Sequence, residues 1–186
     1  MIARQRRHST NRFAGESDGS RLVALGILLV TFGALTLAST LAIMPLPGHF
    51  GGSSALFGGI AIILFVVRTG TGAIYFDWIV LAVSSIGVGI VLYFDEQIAD
   101  TLSLILVCTF LGSSVAARLW IGSTAFPRKA ASWILASGCL GAISGLCVVA
   151  VWVFRMPPAS SVILALDGLF QGLAIIGFGA SLRETR

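Results

Sequence analysis

Read from its first residue, the chain passes through about twenty polar and basic positions and then becomes apolar for almost all of its length. A window of about 19 residues picks out six apolar stretches, at 22–44, 50–67, 74–94, 98–121, 133–154 and 159–182. Each approaches the roughly 20 residues that carry a helix across about 30 Å of hydrocarbon at 1.5 Å per residue. The second is the shortest and is opened by Gly51 and Gly52. The first is longer than the apolar core of a cleaved signal peptide, about 7 to 15 residues, and further spans follow it, so it reads as a signal anchor. The predicted fold is an all-α membrane protein of six transmembrane helices over 22–182. A disordered basic tail is expected over 1–21, and a short terminus over 183–186. No polar stretch after residue 21 is long enough to fold alone, so a single domain is expected.

Composition agrees with the pattern. Of 186 residues 56% are hydrophobic and 11% charged, and the mean hydropathy is +0.97. An ordinary soluble domain is nearer half apolar and a quarter charged, and a fold in water cannot hide that much apolar surface. The formal charge of +4 raises the question of nucleic acid, but the twelve Lys and Arg are spread over loops and a tail without an aromatic-basic surface. Their placement speaks of topology instead. Counting along six spans, eleven fall on one side: Arg4, Arg6, Arg7, Arg12, Arg21, Arg68, then Arg118, Arg128 and Lys129 around the fourth-to-fifth connection, then Arg183 and Arg186. The other side holds Arg155 alone, with Asp95, Glu96 and Asp100. The positive-inside rule then puts both termini in the cytoplasm. The tail can also attract anionic headgroups, at about 1 kcal/mol per basic residue near the surface, but Glu16 and Asp18 dilute it, and a topology-setting tail is the simpler expectation.

The chain is self-similar. Residues 56–65 (LFGGIAIILF) match 169–178 (LFQGLAIIGF) at seven of ten positions. Gly26 and Gly33 align with Gly138 and Gly145, and Met44-Pro45 with Met156-Pro157. Half of that offset of about 112 lands on the middle pair of spans, giving three helical hairpins of about 56 residues that enter the membrane in the same direction. Such parallel repeats differ from the inverted repeats of many secondary transporters. Gly141 with Gly145 and Gly168 with Gly172 place small residues one turn apart, as close helix packing requires where dispersion replaces the hydrophobic effect. Contacts between copies of the chain are the alternative use of these stripes.

Candidate chemistry is sparse. Asp167 lies about eight residues into the last span, where a central carboxylate costs about 2.5 to 3.5 kcal/mol on insertion scales. Gln171 follows at i+4 on the same face and is expected to bond it. A proton- or ligand-handling role for Asp167 is the alternative. Arg155, at the outer mouth of span five, is expected to pair with Asp95, Glu96 or Asp100, or to reach down to Asp167. His49 is expected as a solvated loop histidine. Cys108, Cys139 and Cys147 lie in apolar runs without a CxxC or ligand spacing and are expected to be buried and inert. The sequence contains no GxSxG, HExxH or GxxxxGK[ST] motif and no intramembrane His pair to ligate haem, so neither an enzyme nor a cofactor is expected.

Six spans in hairpin repeats and a Gly-rich first helix ending near proline resemble the HdeD-like acid-resistance membrane proteins of bacteria. The last helix carries the resemblance furthest: Leu166-Asp167-Gly168-Leu169-Phe170-Gln171-Gly172 is similar to the family's G-I-D-L-L-F-[DEQ]-G-W-A, with Leu166 and Gly168 as departures and no Trp after Gly172. Trp133 opening span five and Arg118-Leu119 closing span four also fit. The resemblance, over 22–186, implies a bacterial inner-membrane protein linked to acid or envelope stress and supplies no reaction. Two functions follow as expectations. One is a non-enzymatic stress-tolerance protein acting through helix packing and contacts with lipid, itself or other membrane proteins. The other is a small transporter or proton-conducting channel using Asp167.

Overall fold

The computed structural model describes residues 16–41, 49–69, 74–95, 98–124, 128–155 and 158–184. Regular structure there is helical throughout: α1 Glu16–Thr40, α2 Phe50–Thr69, α3 Ile74–Phe94, α4 Thr101–Thr124, α5 Arg128–Val153 and α6 Pro158–Glu184. Each contains a segment long and apolar enough to cross a membrane, and the chain is a multi-pass membrane protein.

The helices differ from the apolar spans mainly at their ends. α1 already begins at Glu16, within the tail expected to be disordered; residues 1–15 lie outside the described ones. Adding residues to a nucleated helix is easy, so helix and apolar stretch need not start together. α5 likewise starts five residues ahead of Trp133, and 26 residues make about 39 Å of helix, more than the hydrocarbon needs. α4 starts at Thr101 rather than at 98. The Asp95 carboxylate accepts the amides of Ala99 and Asp100, both at 3.1 Å, and Ile98 sits at φ 51°, so the chain turns there before the helical bonds begin. Pro158 opens α6, where its missing N–H breaks no bond. The Met44-Pro45 and Met156-Pro157 motifs lie outside the described residues.

Successive helices run antiparallel and pack side by side, and α6 returns to lie along α1, closing a six-membered ring. The closing seam is the tightest. A Cβ added at Gly26 would lie 2.8 Å from the Gly172 carbonyl oxygen, and one at Gly172 would lie 2.7 Å from the Val30 amide nitrogen. Only hydrogen fits there, which lets two backbones approach where packing must do the work of the hydrophobic effect. Three glycines spaced by 56 residues, Gly33, Gly89 and Gly145, each face a leucine of the preceding helix in the ring, Leu169, Leu56 and Leu111 respectively. The slackest seam lies between α1 and α2.

The helix ends at Glu16, Thr69, Ile74, Thr124, Arg128 and Glu184 form what we call the terminal face; those at Thr40, Phe50, Phe94, Thr101, Val153 and Pro158 form the distal face. All six helices contribute to an apolar core in the terminal half, which includes Leu22, Ile62, Leu81, Ile121, Ile134 and Phe178. Trp78 packs there between Phe65 and Phe178. The distal half is asymmetric. One side is filled by Val91, Leu104, Val107 and Val148, and the other, along α1, α2, α3 and α6, is hollow. Outer faces carry exposed Phe57, Leu64, Val67, Leu102, Leu146 and Phe154, as contact with lipid requires. Cys139 and Cys147, expected to be buried, lie exposed on α5, and Cys108 is half-buried. In lipid an apolar position can face outward at no loss, so an apolar run does not mark the inside.

Candidate functional site

Arg118 lies on α4 six residues before its end, about 9 Å of helix from the terminal face. Long helical side chains lean toward the N-terminus of their own helix, and this one runs back past Ser114 toward the middle of the bundle. There it meets Asp167 of α6. Arg118 Nη1 donates to Asp167 Oδ1 at 3.0 Å and Nη2 to Oδ2 at 2.8 Å, a two-pronged pair of fixed geometry. Nη1 also donates to the Ser137 hydroxyl at 3.1 Å and the Ser137 carbonyl at 3.3 Å, both from α5, and Nη2 to Ser114 Oγ at 3.2 Å. Arg118 is 2% exposed and Asp167 5%. Among the described residues Arg118 Nε is the buried side-chain polar atom left without a partner.

Backbone space for the pair comes from α5. A Cβ at Gly141 would lie 2.9 Å from Arg118 Nη2 and 3.0 Å from Asp167 Oδ1. Glycine there lets α5 pass directly over the two charges. The pair therefore joins α4 to α6 with α5 as its cover. A lone charge in this region costs several kcal/mol, and two opposite charges bonded through both prongs neutralise each other.

These contacts correct the partners expected for Asp167. Gln171 is buried one turn further along α6, but among the described residues no hydrogen bond joins it to Asp167. Arg155 is exposed at the distal end of α5 with left-handed backbone, φ 54°, well away from a carboxylate whose two oxygens are taken by Arg118. Arg118 itself, counted with the loop charges, is inside the membrane, which leaves ten basic residues against one. The physical reason is length: an arginine side chain three residues inside the expected span reaches inward as easily as outward.

The four packing glycines separate in the same way. Gly141 makes room for the ion pair, and Gly172 lies in the α1–α6 seam. Gly145 meets only Leu111, with a Cβ position 3.5 Å from Leu111 Cδ2. Gly168 has nothing within 4 Å; it lines the hollow instead of packing. His49, exposed at the distal face, donates from Nδ1 to the Tyr93 carbonyl at 3.0 Å and lies against the Tyr93 ring.

The hollow is a cavity of about 110 Å³. It runs from the distal ends of α1, α2 and α3, at Thr40, Gly51 and Leu92, down to Asp167 and Gln171 at mid-bundle. Its walls carry the hydroxyls of Thr36, Ser54, Ser84 and Ser85 beside Phe32 and Leu29. Asp167 borders it, while Arg118 stands behind the carboxylate. Comparisons with family models, curated proteins and solved structures found no match.

Proposed function

We propose that the protein is a non-enzymatic, HdeD-like protein of the bacterial inner membrane that serves tolerance of acid or envelope stress, with both termini in the cytoplasm. The observation that carries this reading is the Arg118–Asp167 pair at the floor of a cavity reaching the distal face. With Arg118 taken out of the sequence count, ten basic residues stand on the terminal side of the six spans against one on the distal side, which directs the distal face outward by the positive-inside rule. External acid then has a route to the carboxylate. Removing either charge of the pair would strand the other between helices, so the packing of the bundle depends on the state of the pair. Its partners are lipid at the apolar outer faces, and copies of itself or other membrane proteins.

The test is a deletion strain exposed to low pH and to envelope stress. Deletion should lower survival, and the wild-type gene should restore it. Unchanged survival of the deletion strain under both stresses overturns the reading. A second reading, a small transporter or proton channel, is favoured by Asp167 and Gln171 both bordering the cavity. Proton flux into vesicles reconstituted with purified protein separates it from the first.

A further inference from the structure

Five of the cavity's hydroxyl groups, those of Thr36, Thr40, Ser54, Ser84 and Ser85, have already committed their protons. Thr36 Oγ1 donates to the Phe32 carbonyl at 2.8 Å, Ser54 Oγ to the Gly51 carbonyl at 2.8 Å, and the two hydroxyls lie 2.8 Å apart. Two protons thus serve three contacts. Ser84 repeats the arrangement with Ser113, through the Val80 and Phe110 carbonyls at 2.7 and 2.8 Å and a mutual contact of 2.7 Å. Thr40 and Ser85 donate to the carbonyls of Thr36 and Leu81. A hydroxyl has one proton and two acceptor lone pairs, so what these groups still offer the cavity is acceptors. The Gln171 amide and the Ser114 hydroxyl, which accepts from Arg118, are donors on the same lining. At the floor the ion pair turns its carboxylate toward the cavity and its guanidinium away.

From this we propose that the cavity is a binding site for a small monovalent cation of the ammonium or alkali class. An acceptor-lined wall and the negative end of an ion pair satisfy a cation and leave an anion unbonded. A single carboxylate shared with Arg118 is too little charge for a divalent ion, which takes one or more free carboxylates. The space has room for such an ion with several waters, whereas a quaternary ammonium, its charge behind four alkyl groups, cannot bring its nitrogen within bonding reach of the acceptors. The proposal does not rest on the stress-tolerance reading, since binding to purified protein and survival of a deletion strain fail independently.

The experiment is thermal unfolding of the full-length protein in non-ionic detergent at constant ionic strength. Choline chloride is replaced stepwise by sodium, potassium, ammonium or methylammonium chloride. A ligand of the folded state should raise Tm saturably; the ion that does so identifies the source, ammonium or alkali. Thr40→Val removes one acceptor whose proton serves only its own helix, so the fold is kept. Thr36→Val with Ser54→Ala removes a further two, and apparent affinity should fall roughly tenfold for the loss of contacts to a charge. The same Tm in choline as in every small cation overturns the site, as does a cation-dependent rise that both variants leave unchanged.

Discussion

Arg118 and Asp167, 49 residues apart on α4 and α6, share two hydrogen bonds of 3.0 and 2.8 Å in the interior of the bundle. Neither charge has another charged partner in the pair's immediate shell, whose remaining contacts are to Ser114 and Ser137. The two residues are therefore coupled, and removing one changes the state of the other.

That coupling sets the first prediction. Arg118→Leu or Asp167→Leu alone should destabilise the protein by about 3–5 kcal/mol, because each leaves a buried charge uncompensated. The double Leu variant should recover most of that loss. Asp167→Asn should behave like Asp167→Leu, since an amide does not balance Arg118; with Gln171 as the partner it would have been harmless. Unfolding of all four proteins in detergent gives the coupling directly, and additive losses would contradict it.

Glycines that touch and glycines that do not should part company on substitution. Gly141→Ala pushes against Arg118 and Asp167, and Gly172→Ala against the Val30 backbone; each should lower stability by about 1–3 kcal/mol. Gly145→Ala should be near neutral. Gly168→Ala, with open space at its Cβ, should be neutral or gain up to about 1 kcal/mol from helix propensity. Melting temperatures of the four variants check the order.

Orientation is tested by labelling from outside. In a background lacking the three native cysteines, a membrane-impermeant maleimide should reach Cys substituted at Gly48 or Gln97 and miss Cys at Ser9 or Thr185. The reverse pattern would invert the topology drawn from the basic residues.

Closure of the ring is tested between the first and last helices. A Cβ at Gly179 would lie 3.0 Å from the Cβ of Leu22, close to the spacing a disulfide spans. In the same cysteine-free background, Leu22→Cys with Gly179→Cys should cross-link within one chain on mild oxidation, read as lost maleimide labelling. Persistent labelling of both thiols would place α1 and α6 apart.

The sequence alone determined how many helices there are and roughly where each lies, because crossing hydrocarbon demands about 20 apolar residues whatever they pack against. It also singled out Asp167, because an intramembrane carboxylate is expensive in any arrangement. Only the tertiary structure decided what compensates it. Choosing between Gln171, Arg155 and Arg118 requires knowing how each helix is rotated and which helices are neighbours. In water that rotation is written in the contrast between an apolar and a polar face. Here lipid and core are both apolar, and exposed Cys139 and Leu146 sit on the same helix as buried Gly141 and Val148 without such a contrast. Arg118 falls inside the span expected at 98–121, yet close enough to its end to read as a loop charge. Its inward course is set by Ser114 one turn back, Ser137 on α5 and the room left by Gly141, which come together only when α4, α5 and α6 are packed side by side.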